Sequence, residues 1–425
     1  LAECFLLAKY LSDWAKLADI GGKQMAGRTM KRTVALLCCA IATLAANGDS
    51  RRVSAFTQTA TEPRQDATDV RSQIRALSSP NLAERMKAVC ALRNMRAGAA
   101  EAVPALIQLL GDDTAVDSLS CDGEGKWQRE WGTREQSTVG REAAKALINI
   151  GKESVEPLIR ALASQDLRVR TNSAFALGPI KDARTVEPLL VAVSDNAWQV
   201  REQAAWGLGL KADKKVVEPL IVALQDREDK VRSQAAWALG LQGDERSVEP
   251  LAAALLDPSS KVQSQAAWAL GLKGDSRAVE PLVVALNARD EHVRSQAAWA
   301  LGLKGDRRAV DGLVAALRDE SKQVRSQAAW ALGLKGDSNA VEALIVALKD
   351  ADSHVRSQAA WALGLKGDHR AIEALNVLVK DGDPQVRRQA TWALGMILMR
   401  DPRAADGQIN IDVDALRKNT RERRR

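Results

Sequence analysis

Histidine is almost missing from this chain: His292, His354 and His369 are the three in 425 residues. No two of them stand at metal-ligand spacing, HExxH does not occur, and none of the five cysteines belongs to a Cys-x-x-Cys. His292 and His354 fall at equivalent turn positions two repeat periods apart, which predicts exposed turn residues. No glycine-rich phosphate loop follows a strand, because no stretch carries a strand pattern. These absences leave no acid/base, metal or nucleotide constellation of the kind an active site needs. Long apolar runs are lacking as well. The run over residues 34–46 (VALLCCAIATLAA) is 13 residues long, too short for a comfortable membrane-spanning helix. The net charge is +7, but residues 1–68 and residues 400–425 each supply +3, which leaves +1 for everything between. A nearly neutral array is no electrostatic track for phosphates, so specific nucleic-acid binding is excluded.

What is abundant is repetition. Residues 231–244 read VRSQAAWALGLQGD, and the stretch recurs with little drift. Its tryptophan falls at Trp206, Trp237, Trp268, Trp299, Trp330, Trp361 and Trp392, always 31 residues after the last. A fixed period of this size marks a solenoid. Within one period, VRSQAAWALG is rich in good helix formers. Gly243-Asp244 suits a C-terminal cap followed by an N-cap. A second helical run, residues 248–256 (VEPLAAALL), carries Pro250 near its start, where a missing N–H costs least. Each repeat is thus a helical hairpin that cannot bury its apolar faces alone.

The Val-Arg opening (Val231-Arg232), the Ala-Ala-x-Ala-Leu-Gly core (235–240), the Gly-Asp turn and the Val-Glu-Pro-Leu helix (248–251) resemble the HEAT repeat. The likeness is to the short bacterial subtype also found in phycobilin lyases, and it covers residues 69–399. It implies an all-α fold, an α-solenoid of about ten helical hairpins with a 31-residue period. By that family's convention the Val-Glu-Pro-Leu helix comes first in a hairpin and the tryptophan helix second. The family also tends to carry an Asp in the hairpin turn and an Arg at the next helix start. Asp226 with Arg232, Asp319 with Arg325 and Asp350 with Arg356 follow this, while Gln263 and Ala288 break it. One enzymatic relative, the di-iron deoxyhypusine hydroxylase, binds iron through His-Glu dipeptides. This chain has none, and Glu291-His292 has the order reversed.

Along the chain, residues 1–29 form an upstream segment that translation need not include. Met30-Lys31-Arg32, the apolar run and the small residues at Ala46 and Gly48 read as a signal peptide over 30–48, cleaved near Gly48-Asp49. The expectation is an exported protein, periplasmic or secreted, with an uncleaved membrane anchor as the alternative. Residues 49–68 read as a linker, and 69–399 as the solenoid. Second helices are expected at Cys90, Lys145, Phe175 and the seven tryptophans. Residues 111–138 insert about 24 extra residues relative to the period, a loop carrying Cys121, Trp127 and Trp131. Residues 400–425 form a basic tail. With the signal removed, only Cys90 and Cys121 remain, and two free thiols are expected.

On a helix wheel Val231, Ala235 and Leu239 share the core side, and Trp237 lies roughly 200° away beside Ser233 and Gln234. The HEAT resemblance places the second helices on the concave surface. The candidate partner-binding residues are therefore the seven tryptophans with Gln234, Gln265, Gln296, Gln327 and Gln358. Successive indoles are expected close enough to cover one another partly, either filling the seams between second helices or forming a stripe edged by Ser and Gln. The function implied is a non-catalytic, cofactor-free scaffold gripping a protein or peptide on that face. The alternative is a phycobilin-lyase-like or chaperone-like enzyme handling a bulky ligand, which export disfavours for tetrapyrrole attachment. Membrane contact enters only through an uncleaved anchor or weak adhesion of the tail.

Overall fold

The computed structural model describes residues 67–117, 136–304, 306–335 and 338–400. The chain divides into Leu1–Gln65 and Asp66–Arg425, and all described residues belong to the second unit. The expected upstream segment, signal peptide and basic tail after Arg400, with almost all of the expected linker, lie outside the described residues, as do Cys121, Trp127 and Trp131.

Helical hairpins follow one another through this unit. Ten second helices occur among the described residues, from Leu82–Met95 and Val139–Ile150 to Ser353–Lys366 and Pro384–Leu398. In the hairpin of Val217–Ala223 and Asp229–Gln242, Val217, Leu220, Ala223, Val231, Ala235, Ala236, Ala238 and Leu239 are buried. The next repeat opens at Asp244, whose side chain accepts from the Arg246 N–H and caps the short turn Glu245–Ser247. Val248–Ala254 then runs on, with Pro250 still inside the first turn, where backbone N–H groups lack helical partners anyway. Successive second helices pack along their length, whereas successive first helices barely touch. The second-helix row is therefore the tight side of the stack.

A glycine makes that close approach feasible. Each second-helix tryptophan lays the Cζ3 edge of its indole on the backbone of the preceding repeat's second helix. Trp237 stands over Gly209, Trp268 over Gly240, Trp299 over Gly271 and Trp392 over Gly364. A Cβ at Gly271 would come 2.6 Å from Trp299 Cζ3 and 3.1 Å from the Ala300 Cα. Alanine in a helix interior usually gains up to about 1 kcal/mol over glycine, but overpacking costs typically about 1–3 kcal/mol. Gly271→Ala is therefore expected to destabilise by about 1–2 kcal/mol, the net of those two effects. Gly395→Ala should not, because no atom of the described residues lies within 4 Å of the corresponding Cβ in the last repeat. Chemical denaturation of the two variants checks the contrast; stabilisation by both would refute the glycine seat.

The turn aspartates and helix-start arginines form a ladder that pairs across repeats. Arg232 Nη1 donates to the backbone carbonyl of Asp226, 2.8 Å away, but its fork reaches forward to the carboxylate of Asp257. Asp226 meanwhile receives Arg201 of the preceding repeat, at 2.6 and 2.8 Å. The same rung recurs as Arg170–Asp195, Arg294–Asp319, Arg325–Asp350 and Arg356–Asp381. Partners are always 25 residues apart. Gln263 and Ala288 are also 25 apart, so the two exceptions are the two halves of one missing rung. Gln263 keeps the local half of the job, donating to the Asp257 carbonyl at 2.7 Å.

A third ladder caps helix ends. Lys211 is buried and donates to the Leu177 and Ile180 carbonyls of the preceding repeat at 2.9 and 2.8 Å. Gln242 reaches Gly209 O, and Lys304 reaches Gly274 O. Burial pushes the Lys211 ammonium down to about 8 from 10.5. Between these values the folded state sheds its proton before the unfolded chain does. Stability should accordingly rise with pH from about 8 to 10.5, by on the order of 2 kcal/mol. Lys211→Gln, which keeps a donor without the charge, should remove that rise from unfolding curves taken across this range. An identical pH slope in both proteins would refute it.

The insert has a built base. Ala115–Asp117 pairs antiparallel with Gln136–Thr138, a short ladder that the absence of a strand pattern did not predict. Ser137 Oγ donates to the buried Glu142 at 2.7 Å, and Lys145, at the tryptophan position, pairs with the same carboxylate. Val116 packs with Met86, Val139 and Cys90. Cys90 is disulfide-bonded, which corrects the expectation of a free thiol there; its partner lies outside the described residues. The paired strands bring the insert's ends against the helix that carries Cys90, a juxtaposition invisible in one dimension.

Candidate functional site

The accessible part of the second-helix row is narrow. In Asp229–Gln242, residues 231, 233, 235, 236, 238, 239 and 240 are buried, and Lys230, Gln234, Trp237 and Leu241 line one face at helical spacing. The seven tryptophans and the five named glutamines are all half-buried. The leucines at the Leu241 position belong to the same ribbon. Leu210 is 41% exposed, and Leu272, Leu303, Leu334 and Leu365 are half-buried. Sequence reasoning passed over them, although the i+4 step from each tryptophan marks them.

Two expectations need correction. Ser233, Ser326 and Ser357 are buried, so serine does not edge the stripe in those repeats. The Ser233 position faces the neighbouring helix because the second helices sit so close together. Nor do successive tryptophans stack: among the described residues the stacked ring pair is Phe175 with Trp206, 5.3 Å apart. The glycine seat turns each indole onto backbone and away from the next ring. Arg141 lies over Phe175 at 3.3 Å from the ring centroid, closing the N-terminal end of the ribbon.

Seam packing and solvent access coexist in each tryptophan. The Cζ3 edge is in the seam, and the indole Nε1–H groups form no hydrogen bond to the described residues and are not buried. The side chains of Gln234, Gln265, Gln296, Gln327 and Gln358 likewise bond to none of the described residues. Each of these five repeats therefore presents an apolar body, an indole donor and a carboxamide, unbonded to the described residues, that can both donate and accept. The ribbon positions hold no carboxylate, and Lys230, Lys261, His292 and His354 are exposed along one margin. Among the described residues no group of three or more His, Cys, Asp or Glu is placed to hold a metal ion. No described helix is long and apolar enough to cross a membrane.

The family model for HEAT repeats matches residues 186–261, 249–320, 310–395 and 358–407. That for the PBS lyase HEAT-like repeat matches 84–112, 139–164 and 169–195. This chain belongs to the HEAT-repeat family. No curated protein matches it. Among solved structures this HEAT chain is similar to an engineered protein at 24% identity, over 77% of this chain and 98% of that one, with a TM-score of 0.44. It is also similar to YibA of E. coli at 22% identity, over 62% and 98% of the two chains, with a TM-score of 0.46. Human deoxyhypusine hydroxylase, solved with glycerol, matches at 25% identity over 58% of this chain and 96% of that one, with a TM-score of 0.27. HEAT repeats commonly mediate protein interactions. In this one, the ribbon of Gln, Trp and Leu is the surface built repeat after repeat with unused polar groups.

Proposed function

We propose that this HEAT protein is a non-catalytic, exported scaffold that binds a partner polypeptide along its second-helix row. One observation carries the reading: seven consecutive repeats expose the same half-buried tryptophan, with a glutamine that bonds to none of the described residues beside it through most of the row. The half-buried tryptophans and the leucines four residues on give each of these repeats accessible apolar surface beside that amide. Cys90 in a disulfide supports export, since such bonds persist in oxidising compartments.

The test uses two variants of the full chain. Leu272→Glu with Leu303→Glu puts charge on the ribbon, whereas Val222→Glu with Val284→Glu puts it on the exposed first-helix row. Val222 and Val284 are 67% and 62% exposed, so that variant should fold, and circular dichroism checks the fold of the variant at the half-buried Leu272 and Leu303. Cross-linking in the exported fraction of the source cell should recover a partner with the wild type and the first-helix variant, and not with the ribbon variant. Equal recovery by the two variants would overturn the reading. A tetrapyrrole bound in place of a protein would favour the lyase-like alternative.

A further inference from the structure

The ribbon's spacing and its hydrogen-bonding groups narrow what can lie on it. Successive second helices here approach until glycine backbone meets the next helix, and packed helices stand about 8–10 Å apart. An extended β segment advances about 6.8 Å for each pair of residues and so drifts out of step with such a ladder. A polyproline II helix advances about 3.1 Å per residue and repeats every three, or about 9.3 Å. It can place one equivalent side chain on every repeat.

The chemistry agrees. A polyproline II segment has no internal hydrogen bonds, so its carbonyls need donors, and prolines bring no N–H needing an acceptor. The ribbon supplies two kinds of donor per repeat, the indole Nε1–H and the glutamine amide, neither bonded to the described residues. Flat indole and leucine surface between them suits pyrrolidine rings and aliphatic side chains, the usual way aromatic-lined grooves take such helices. The charge pattern adds polarity of choice. No ribbon position holds a carboxylate, and the helix starts along its margin expose Lys230 (4.4 Å over the Trp198 ring), Lys261 and Lys322 against Asp229 and Glu291, so an acidic segment is favoured over a basic one.

We propose that the ribbon takes an acidic, proline-rich segment of a partner in the polyproline II conformation, three residues per HEAT repeat. This rests on the scaffold reading and refines it. The probe is a labelled peptide of five Pro-Pro-Leu triplets with two glutamates at each end, added to the full chain and followed by fluorescence anisotropy. Three peptides of equal length serve as comparisons: Gly-Ser repeats and alternating Leu-Thr with the same glutamates, and the triplets with lysines at the ends.

The glutamate-ended triplets should bind at least tenfold more tightly than each of the other three. Gln265→Ala, Gln296→Ala and Gln327→Ala together should weaken that binding at least tenfold and leave the thermal midpoint unchanged, because these amides bond to none of the described residues. No binding, preference for the Leu-Thr or Gly-Ser peptide, or undiminished binding by the triple variant overturns the proposal. Preference for lysine ends overturns its charge assignment. If the ribbon cross-links a partner through a folded domain or a β segment, the scaffold reading stands and this refinement falls. If the partner is lost only from the first-helix variant, both fall.

Discussion

Changing Trp268, Trp299 and Trp330 together to Gln should cost the array a large part of its stability. Each indole sits on the backbone of the preceding second helix and packs against the continuous core. Removing a large core aromatic costs about 3–5 kcal/mol when the residue is wholly buried; half-buried, each of these should cost roughly 2 kcal/mol. The three seams are consecutive and share helices, so the losses fall on one block, and about 6 kcal/mol is comparable with the whole stability of many domains. A fall of roughly 10–20 °C in the thermal midpoint is expected. A split melt is expected too, as the weakened block lets go before the flanking repeats. The glutamine triple at 265, 296 and 327 is the matched control, on the same face without a seam contact. A tryptophan triple that melts within a degree or two of wild type would show that the indoles ornament the surface and hold no seam.

The second large effect concerns the arginine rungs. Arg294 and Asp319 are paired at 2.7 and 2.9 Å with side chains only 9% and 11% exposed. Burial by itself raises the Asp319 carboxyl, yet the Arg294 guanidinium and the Ser321 N–H bring it below the usual range. Arg294→Gln takes the paired charge from that largely buried carboxylate and leaves only the more distant Arg325 to act on it, which should cost about 3 kcal/mol. Asp319→Ala takes the main partner from that guanidinium and leaves it Glu320 at 3.2 Å, so its loss should be the smaller of the two. The double variant Arg294→Gln/Asp319→Ala removes both charges and recreates what Gln263 and Ala288 already are one repeat earlier. It should recover more than half of the summed losses, a coupling of about 2 kcal/mol in a double-mutant cycle. Additive losses would mean that the pair does not work as a unit. The converse, Gln263→Arg with Ala288→Asp, should complete the ladder and raise stability, while Gln263→Arg alone should not.

The repeat was plain in the sequence because a solenoid writes its contacts at a constant separation. The second helices at Cys90, Lys145 and Phe175 and the Gly-Asp caps were legible from periodicity and turn chemistry alone. So was the core face of Val231, Ala235 and Leu239, since a helix wheel needs only local order. The wheel also set Trp237 off that face and placed Gln234 beside it. It could not say what met the indole there.

Three features required the stack itself. The glycine beneath each tryptophan lies in the preceding repeat, and only packed backbones reveal that its missing Cβ is the seat. Asp226 and Arg232 are neighbours in sequence, but the carboxylate turns back to Arg201, since a guanidinium crossing a seam satisfies two repeats at once. That Cys90 is a disulfide cysteine, and that a short strand pair closes the base of the insert near its helix, likewise came only from the fold. Residue types at a 31-residue period thus determined the architecture and the row of candidate residues. The tertiary structure decided which edge of each tryptophan is spent on the seam and which edge, with its glutamine, is left for a partner. Exposure is a property of the neighbours in space, and in this chain those neighbours stand one whole repeat away.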